Sequence, residues 1–211
     1  FGGNSERIRV VDGNKANPLA NPSAYQIAGT TITVEAWVYP MNLPALGSGR
    51  VIVYRPADAG IGVDPFQSYS LTINNYGATN APRYAFQVTD GVSPIGTGGD
   101  LYVEDPNPPQ VGVWTHVAGT YNGSVARLYV NGNLAAESFG SITLSTGSTG
   151  FYIGGVTFDY FKGLIDEVRL WNVARSQTQI QTAITASLSG TEPGLAGYWP
   201  LDTGYVDGLN R

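Results

Sequence analysis

Sixteen carboxylates, one histidine and no cysteine limit the chemistry open to this 211-residue chain. Without cysteine there is neither thiolate catalysis nor a disulfide framework. With His116 as the single imidazole, a zinc site of the usual nitrogen and sulfur ligands is excluded too. Glycoside hydrolysis would need two carboxyl groups across one cleft, one protonating the leaving oxygen and the other acting as nucleophile or base. The two acidic pairs, Glu104-Asp105 and Asp166-Glu167, are adjacent in sequence, so on a strand the members of each pair point to opposite faces. Pro106 directly follows the first pair. No run of the sequence spaces two acids onto one strand face, so no catalytic residue is assigned. His116 sits mid-strand and is read as structural rather than as the base of a triad.

Binding chemistry is better represented. A sugar ring is held by aromatic faces against its C–H side and by planar polar groups at its hydroxyls. Tyr76, Tyr102, Phe158 and Tyr160 fall in segments read as loops, where recognition residues on a rigid scaffold tend to lie. Arg83 is placed with them as a partner for hydroxyls or carboxylates; surface ion pairing is its plainer role. In Phe158-Asp159-Tyr160-Phe161, three aromatics in four positions cannot all be buried on one side of a strand, so part of this run is expected to be exposed. Trp37, Trp114 and Trp171 lie on strongly patterned strands and are read as core. Calcium takes about six to eight oxygens from carboxylates, carbonyls and water. Asp12, Gly13 and Asp166 form one candidate set; Asp166 has an equal alternative in pairing with an arginine or accepting backbone amides. Asp100, Glu104 and Asp105 form a weaker set, whose plainer reading is a solvated loop. No EF-hand loop is present.

The elements that must position these residues are mostly strands. Thr31–Tyr39 alternates strictly, with Ile32, Val34, Ala36 and Val38 on one face and Thr33, Glu35, Trp37 and Tyr39 on the other. Pro40 ends the run. Between Trp114 and Glu137, Asn122-Gly123 and Asn131-Gly132 are the turn pairs of two-residue type I′ hairpins and predict a three-stranded antiparallel meander. The sequon Asn122-Gly123-Ser124 is therefore read as a turn. Ala126, Leu128 and Val130 share a face between those turns. Further strands are expected at 50–54, 67–74, 83–89, 142–145, 150–155, 163–171 and 195–201, and loops at 40–49, 55–66, 75–82 and 90–112. Ser176 and Gln179 have capping-box spacing, and Ile180 and Ile184 lie one turn apart, which predicts one short helix at about 176–186.

Composition sets outer limits. Charged residues make up 13%, the net charge is −5, and the two lysines and nine arginines form no run. A nucleic-acid surface needs a basic stripe to displace counterions, and an anionic membrane attracts the same feature, so both partners are disfavoured. No apolar run approaches the roughly 20 residues of a membrane span. Many short strands with one late helix indicate a sandwich or barrel. One module over 1–202 is expected, with 203–211 as a linker toward a following module.

Several segments together resemble the laminin-G-like jelly rolls of the concanavalin A-like lectin/glucanase superfamily. Thr31–Tyr39 is similar to their F-T-I-E-A-W-V strand, and Val113–Glu137, with Trp114-Thr-His-Val-Ala-Gly and both Asn-Gly turns, to their central meander. Phe151-Tyr-Ile-Gly-Gly155 resembles the following I-G-G strand, FKGLIDEVRLWNVARS over 161–176 the F-x-G-x-I-D-E-V-R-I-W-N-x-A-R-S run, and Gly194–Asp202 the closing G-L-V-G-Y-W-x-F-D. The matches follow family order over about residues 30–202. At the N-terminus, Val11-Asp12-Gly13 is followed by Asn14-Lys15, a departure from the family's F-D-G-x-x-D-Y-V. The resemblance implies an all-β, two-sheet antiparallel jelly-roll sandwich with one short C-terminal helix. It also implies a non-catalytic binding module of a larger secreted or cell-surface protein, many relatives binding sugars, some binding proteins, and many carrying one structural calcium. In jelly rolls the first and last strands are often neighbours, which favours the Asp12, Gly13 and Asp166 set. The expected partner is a glycan or cell-surface protein alongside neighbouring domains of the same polypeptide, the alternative role is a protein-interaction spacer, and the expected setting is extracellular and bacterial.

Overall fold

The computed structural model describes residues 8–10, 27, 29–57, 67–77, 81–146, 150–156 and 159–201. Two six-stranded antiparallel sheets pack face to face. In chain order the strands are β1 (Ile8–Val10), β2 (Ile32–Pro40), β3 (Ser48–Pro56), β4 (Gln67–Asn75), β5 (Arg83–Thr89), β6 (Asp100–Glu104), β7 (Thr115–Tyr121), β8 (Val125–Val130), β9 (Asn133–Phe139), β10 (Phe151–Ile153) and β11 (Gly163–Trp171). Helix α1 (Gln177–Ala183) precedes the last strand, β12 (Leu195–Trp199). The first sheet runs β1-β10-β3-β4-β5-β6 and the second β12-β11-β2-β7-β8-β9. This is the jelly-roll sandwich that the alternation and the late helix predict.

Period-two patterning aims one side chain in two at the space between the sheets. Ile32, Val34, Ala36 and Val38 of β2 enter it fully buried, and Leu71, Ile73, Phe86, Val88, Val117 and Leu128 join them from both sheets. Phe151 stacks on Trp199 with ring centroids 4.9 Å apart, tying the two sheets together through a β10 and a β12 side chain. At Gly119 of β7 the second sheet closes tightly on Phe86 of the first: a Cβ there would lie 2.1 Å from Cδ2 of Phe86. Tyr121 is buried in the same core, and its hydroxyl accepts from the Ile142 amide at 2.7 Å and donates to the Ile142 carbonyl at 3.0 Å, so its polar end is satisfied.

The predicted meander is present as β7-β8-β9, but its two turns differ. Asn131 and Gly132 both have positive φ, 49° and 74°, as a type I′ turn demands. At the first turn only Gly123 does, because the Asn122 side chain instead accepts from the Ser124 and Val125 amides and closes a three-residue loop. Three other sequence expectations need correction. β6 lies inside the segment read as a loop at 90–112, although Leu101 and Val103 alternate with Asp100, Tyr102 and Glu104. The strand expected at 142–145 is reduced to a single bridge between Leu144 and Gly29. Trp114, read as core, is 40% exposed, with its ring 5.6 Å from Tyr39.

The helix starts where predicted: Ser176 Oγ accepts from the Gln179 amide and Gln179 Oε1 from the Ser176 amide, the reciprocal capping box. It ends three residues earlier than expected. Its last carbonyls are taken by side chains rising from the sheet below, Arg169 donating to Ala183 and Ala186 and the Trp37 indole to Ile184.

Candidate functional site

The outward faces of the two sheets have opposite characters. On the second sheet, the outward residues of β2 are covered rather than wet. Ile180 of α1 packs against Ala118 and Tyr129, and Glu35 beneath this cover is fully buried. Glu35 Oε1 accepts from the Trp171 indole at 2.8 Å and from Arg175 at 3.3 Å, and Oε2 lies 3.4 Å from His116 Nε2. Burial pushes the Glu35 carboxyl up, but His116, Arg175 and Arg169 outweigh it and hold the group below its ordinary value. Arg175 stacks 4.0 Å over the Trp171 ring, and its amide donates to Thr33 Oγ1. Arg169 pairs with Glu167 at 2.5 Å, and Glu167 accepts the Tyr198 hydroxyl at 2.7 Å. Glu167 and Arg169 of the IDEVRLW segment thus spend their charges on sealing α1 to the sheet. His116 is 1% exposed and packs edge-on against Trp37, in the structural role expected of it.

This network also changes the reading of the Asp166-Glu167 pair. Glu167 has φ 51°, and β11 shifts register between Asp166 and Arg169 against β2. The bulge interrupts the strict alternation between Asp166 and Glu167, since Ile165 and Val168 on either side are both in the core, while Glu167 shares the face of Arg169 as period-two spacing places it. Asp166 Oδ1 accepts the Glu167 amide at 2.9 Å, one of the two alternatives the sequence left open. Asp12 and Gly13, the rest of that metal set, lie outside the described residues. The weaker set is not brought together. Asp100 accepts from Gly96 and Gln87, Glu104 from the Tyr102 hydroxyl, and Asp105 from Asn107. The four residue steps from Asp100 to Glu104 span about 13 Å of strand. Among the described residues, no three Asp, Glu or His side chains converge as metal ligands would.

The outward face of the first sheet is different. Cross-strand register aligns Tyr152, Tyr54, Ser70, Gln87 and Tyr102 in one row over five strands, β10 to β6. A second row holds Val51, Thr72, Ala85 and Glu104, and a third Gly49, Asn74 and Arg83. Ser70, Thr72 and Gln87 are small or flexible polar groups recessed to 4–8% exposure, while Tyr102 and Tyr76 stand proud at 38% and 60%. The polar floor is internally ordered. Gln67 donates to Gln87, whose own amide donates to Asp100 at 3.1 Å. The Tyr102 hydroxyl donates to Glu104 at 3.0 Å and accepts weakly from Asn74 at 3.5 Å. Burial pushes that hydroxyl up to about 12, the Asn74 amide opposing and Glu104 adding to the rise, so Tyr102 stays a neutral donor. Tyr76 is oriented the same way by Asp159, 3.4 Å from its hydroxyl, and burial with the Asp159 charge raises its pKa.

Four of the five aromatic and cationic residues singled out from sequence gather on this face or at its rim. Tyr102 is on it, as a β6 residue and not a loop residue. Arg83 lies directly opposite Asn74, and Tyr76 follows β4. Tyr160 bridges to Val51 and is half-buried, its ring against Gly155, while its neighbour Phe161 turns into the core at 1% exposure. Phe158 lies outside the described residues. What sequence reasoning missed is the floor, Ser70, Thr72, Asn74 and Gln87. These are ordinary polar residues, and only the register of β4 with β5 makes them a surface. Their signal was the alternation Ser68, Ser70, Thr72, Asn74 against Tyr69, Leu71 and Ile73.

Comparison with known proteins agrees with this architecture. Two curated relatives are pappalysin-1 of mouse, 33% identical over 106 residues, and of human, 36% identical over 75 residues. These matches cover 47% and 33% of this chain, and only 6% and 5% of the relatives' length. Among solved structures, a putative carbohydrate binding protein from Bacteroides ovatus superposes with a TM-score of 0.65 at 23% identity, over 94% of this chain and 50% of that one. The CBM40 of a Ruminococcus gnavus IT-sialidase, bound to α2,3 sialyllactose, gives 0.59 at 17% over 86% and 97%. Domain 4 of an extracellular arabinanase from Geobacillus stearothermophilus, in complex with arabinotriose, gives 0.55 at 18% over 86% and 73%. At these identities the superpositions establish the fold alone. The sequence model of Laminin_G_3 matches residues 12–181, most of the chain, and this protein therefore belongs to that family of the concanavalin A-like lectin/glucanase superfamily.

Proposed function

We propose that this chain is a non-catalytic carbohydrate-binding module of a longer extracellular protein, and that the outward face of the first sheet is its binding surface. The observation that carries this reading is the row of Ser70, Gln87 and Tyr102 beside Asn74 and Arg83: recessed planar amides and hydroxyls edged by exposed tyrosines. The amides and hydroxyls would pair with sugar hydroxyls, and the Tyr102 and Tyr76 rings would cover C–H faces. Solved neighbours carrying sialyllactose or arabinotriose support the class of ligand without fixing its identity. A non-catalytic role agrees with the dispersal of acids, since Asp100, Glu104 and Asp105 each serve a local hydrogen bond. No helix among the described residues is long and apolar enough to cross a membrane.

The test is a glycan array, with and without calcium, followed by calorimetric titration of any hit. Tyr102→Ala should weaken binding about tenfold or more, a loss of roughly 1.4 kcal/mol or above, and Tyr76→Ala should act in the same direction. Hits that both variants bind as well as the wild type would move the site elsewhere. A second reading, a spacer that docks on a neighbouring domain of the same polypeptide, is favoured by one feature. Exposed Trp114 and Leu164, with half-buried Tyr39 between them, form an apolar patch at one end of the second sheet, beyond the part that α1 covers.

A further inference from the structure

The sandwich has an open side where the outer strands of the two sheets, β6 and β9, come together, and a pocket of about 360 Å³ lies there. It is walled by the β6–β7 connection, including Asp105, Asn107 and Pro109, and by the β8–β9 turn, including Asn131 and Leu134, with Tyr84 of β5 also lining it. Its volume is at the lower end of the roughly 300–1,000 Å³ of small-molecule sites.

Two features distinguish this cavity from a surface dent. Tyr84 is 2% exposed, yet among the described residues its hydroxyl has no well-formed hydrogen bond; the Thr115 hydroxyl beside it interacts with it only weakly and turns to the Val113 carbonyl at 3.4 Å. Burial pushes the phenol up to about 12, Thr115 opposing and the Asp105 charge adding, so it is held as a donor. A buried donor without a good partner is destabilising, a cost that a ligand acceptor would remove. Asp105, 5% exposed, uses Oδ1 to accept both the backbone and side-chain N–H groups of Asn107, which leaves Oδ2 as the acceptor on offer. Asn131 is fixed by accepting the His116 amide through Oδ1, which leaves its NH2 as a donor. The lining contains no lysine or arginine, and prolines and Leu134 supply apolar wall.

We infer that this pocket is a second binding site, separate from the sheet face, for a neutral polyhydroxylated ligand of about one sugar ring. Tyr84 and Asn131 donate to ring or hydroxyl oxygens, Asp105 accepts a hydroxyl proton, and Pro109 with Leu134 packs against C–H groups. An anionic sugar is disfavoured because it would meet Asp105 with no cation to offset it.

Side-chain amide NMR tests this directly. The intact chain is titrated with glucose, galactose, mannose, xylose and N-acetylglucosamine, and separately with calcium chloride. At least one sugar should shift the Asn107 and Asn131 side-chain amides. Tyr84→Phe and Asp105→Asn should each weaken that titration about tenfold, while Tyr102→Ala leaves it unchanged. Tyr84→Phe keeps the ring, and a denaturant midpoint no lower than that of the wild type would show that the fold is intact. The proposal is overturned if no sugar shifts these amides, if both pocket variants titrate like the wild type, or if calcium alone produces the shifts. The Asn74 and Gln87 side-chain amides report on the sheet face in the same spectra, so the two sites succeed or fail separately.

Discussion

Glu35 shows how much of this fold rests on a single side chain. A carboxylate with no solvent contact is tolerated only because Trp171, His116, Arg175 and Arg169 surround it. Glu35→Gln keeps the shape but leaves buried cations short of a counter-charge, and should cost about 3 kcal/mol in urea unfolding. Because the folded carboxyl is held below its ordinary value of 4.5, its contribution is complete above that pH and is lost as pH falls through the depressed value. The wild-type advantage over E35Q should therefore be constant from about pH 7 to 5 and shrink below about 4.5; an advantage that grew on acidification would contradict this. Gly119 is a constraint of space. A methyl group there meets the Phe86 ring at 2.1 Å, so Gly119→Ala should cost about 3 kcal/mol as an overpacked core does. Phe86→Leu in the same chain should recover part of that loss, and strict additivity of the two costs would remove the explanation.

At the scale of the element, α1 is too short to be stable alone and depends on its ends and its contact with the sheet. Ser176→Ala removes the N-cap acceptor and should cost about 1 kcal/mol, with faster hydrogen exchange at the Gln179 amide as the local readout. The start of this helix was legible because a capping box is a local code. Its end was not, because Arg169 and Trp37, which terminate it, lie on other elements. The same division runs through the strands. β2 and the β7-β8-β9 meander declare themselves by alternation and Asn-Gly turns. β6 was hidden by the glycines and prolines on either side, and the register that gives it meaning comes from pairing with β5. The register shift between Asp166 and Arg169 was not legible, because a bulge is set by the partner strand and leaves no period in the sequence.

At the scale of the whole molecule, the two sheets assign their outward faces to different tasks: the second is roofed by α1 and closed, the first is reachable and polar. From sequence the aromatic rim of the first was visible as residue types, but its floor was not, since Ser70, Thr72, Asn74 and Gln87 become a surface only through β4–β5 register. The division makes a testable statement about coupling. Face-to-face sheets lie about 10 Å apart, so Glu35 and the Tyr102 face are separated by at least a core layer, and perturbations at that distance are close to additive. A ligand that binds only the folded chain at 100 times its Kd should add about 2.7 kcal/mol of stability. That increment should be the same in wild type and in Glu35→Gln, although the variant starts lower, and should fall to about 1.4 kcal/mol or less in Tyr102→Ala, which starts close to wild type. Thermal unfolding with and without a glycan hit, in all three chains, reads this directly. If Glu35→Gln remained folded but lost the ligand increment, the binding surface would have to lie on the α1 side, and the roofed network would need a role beyond holding the helix.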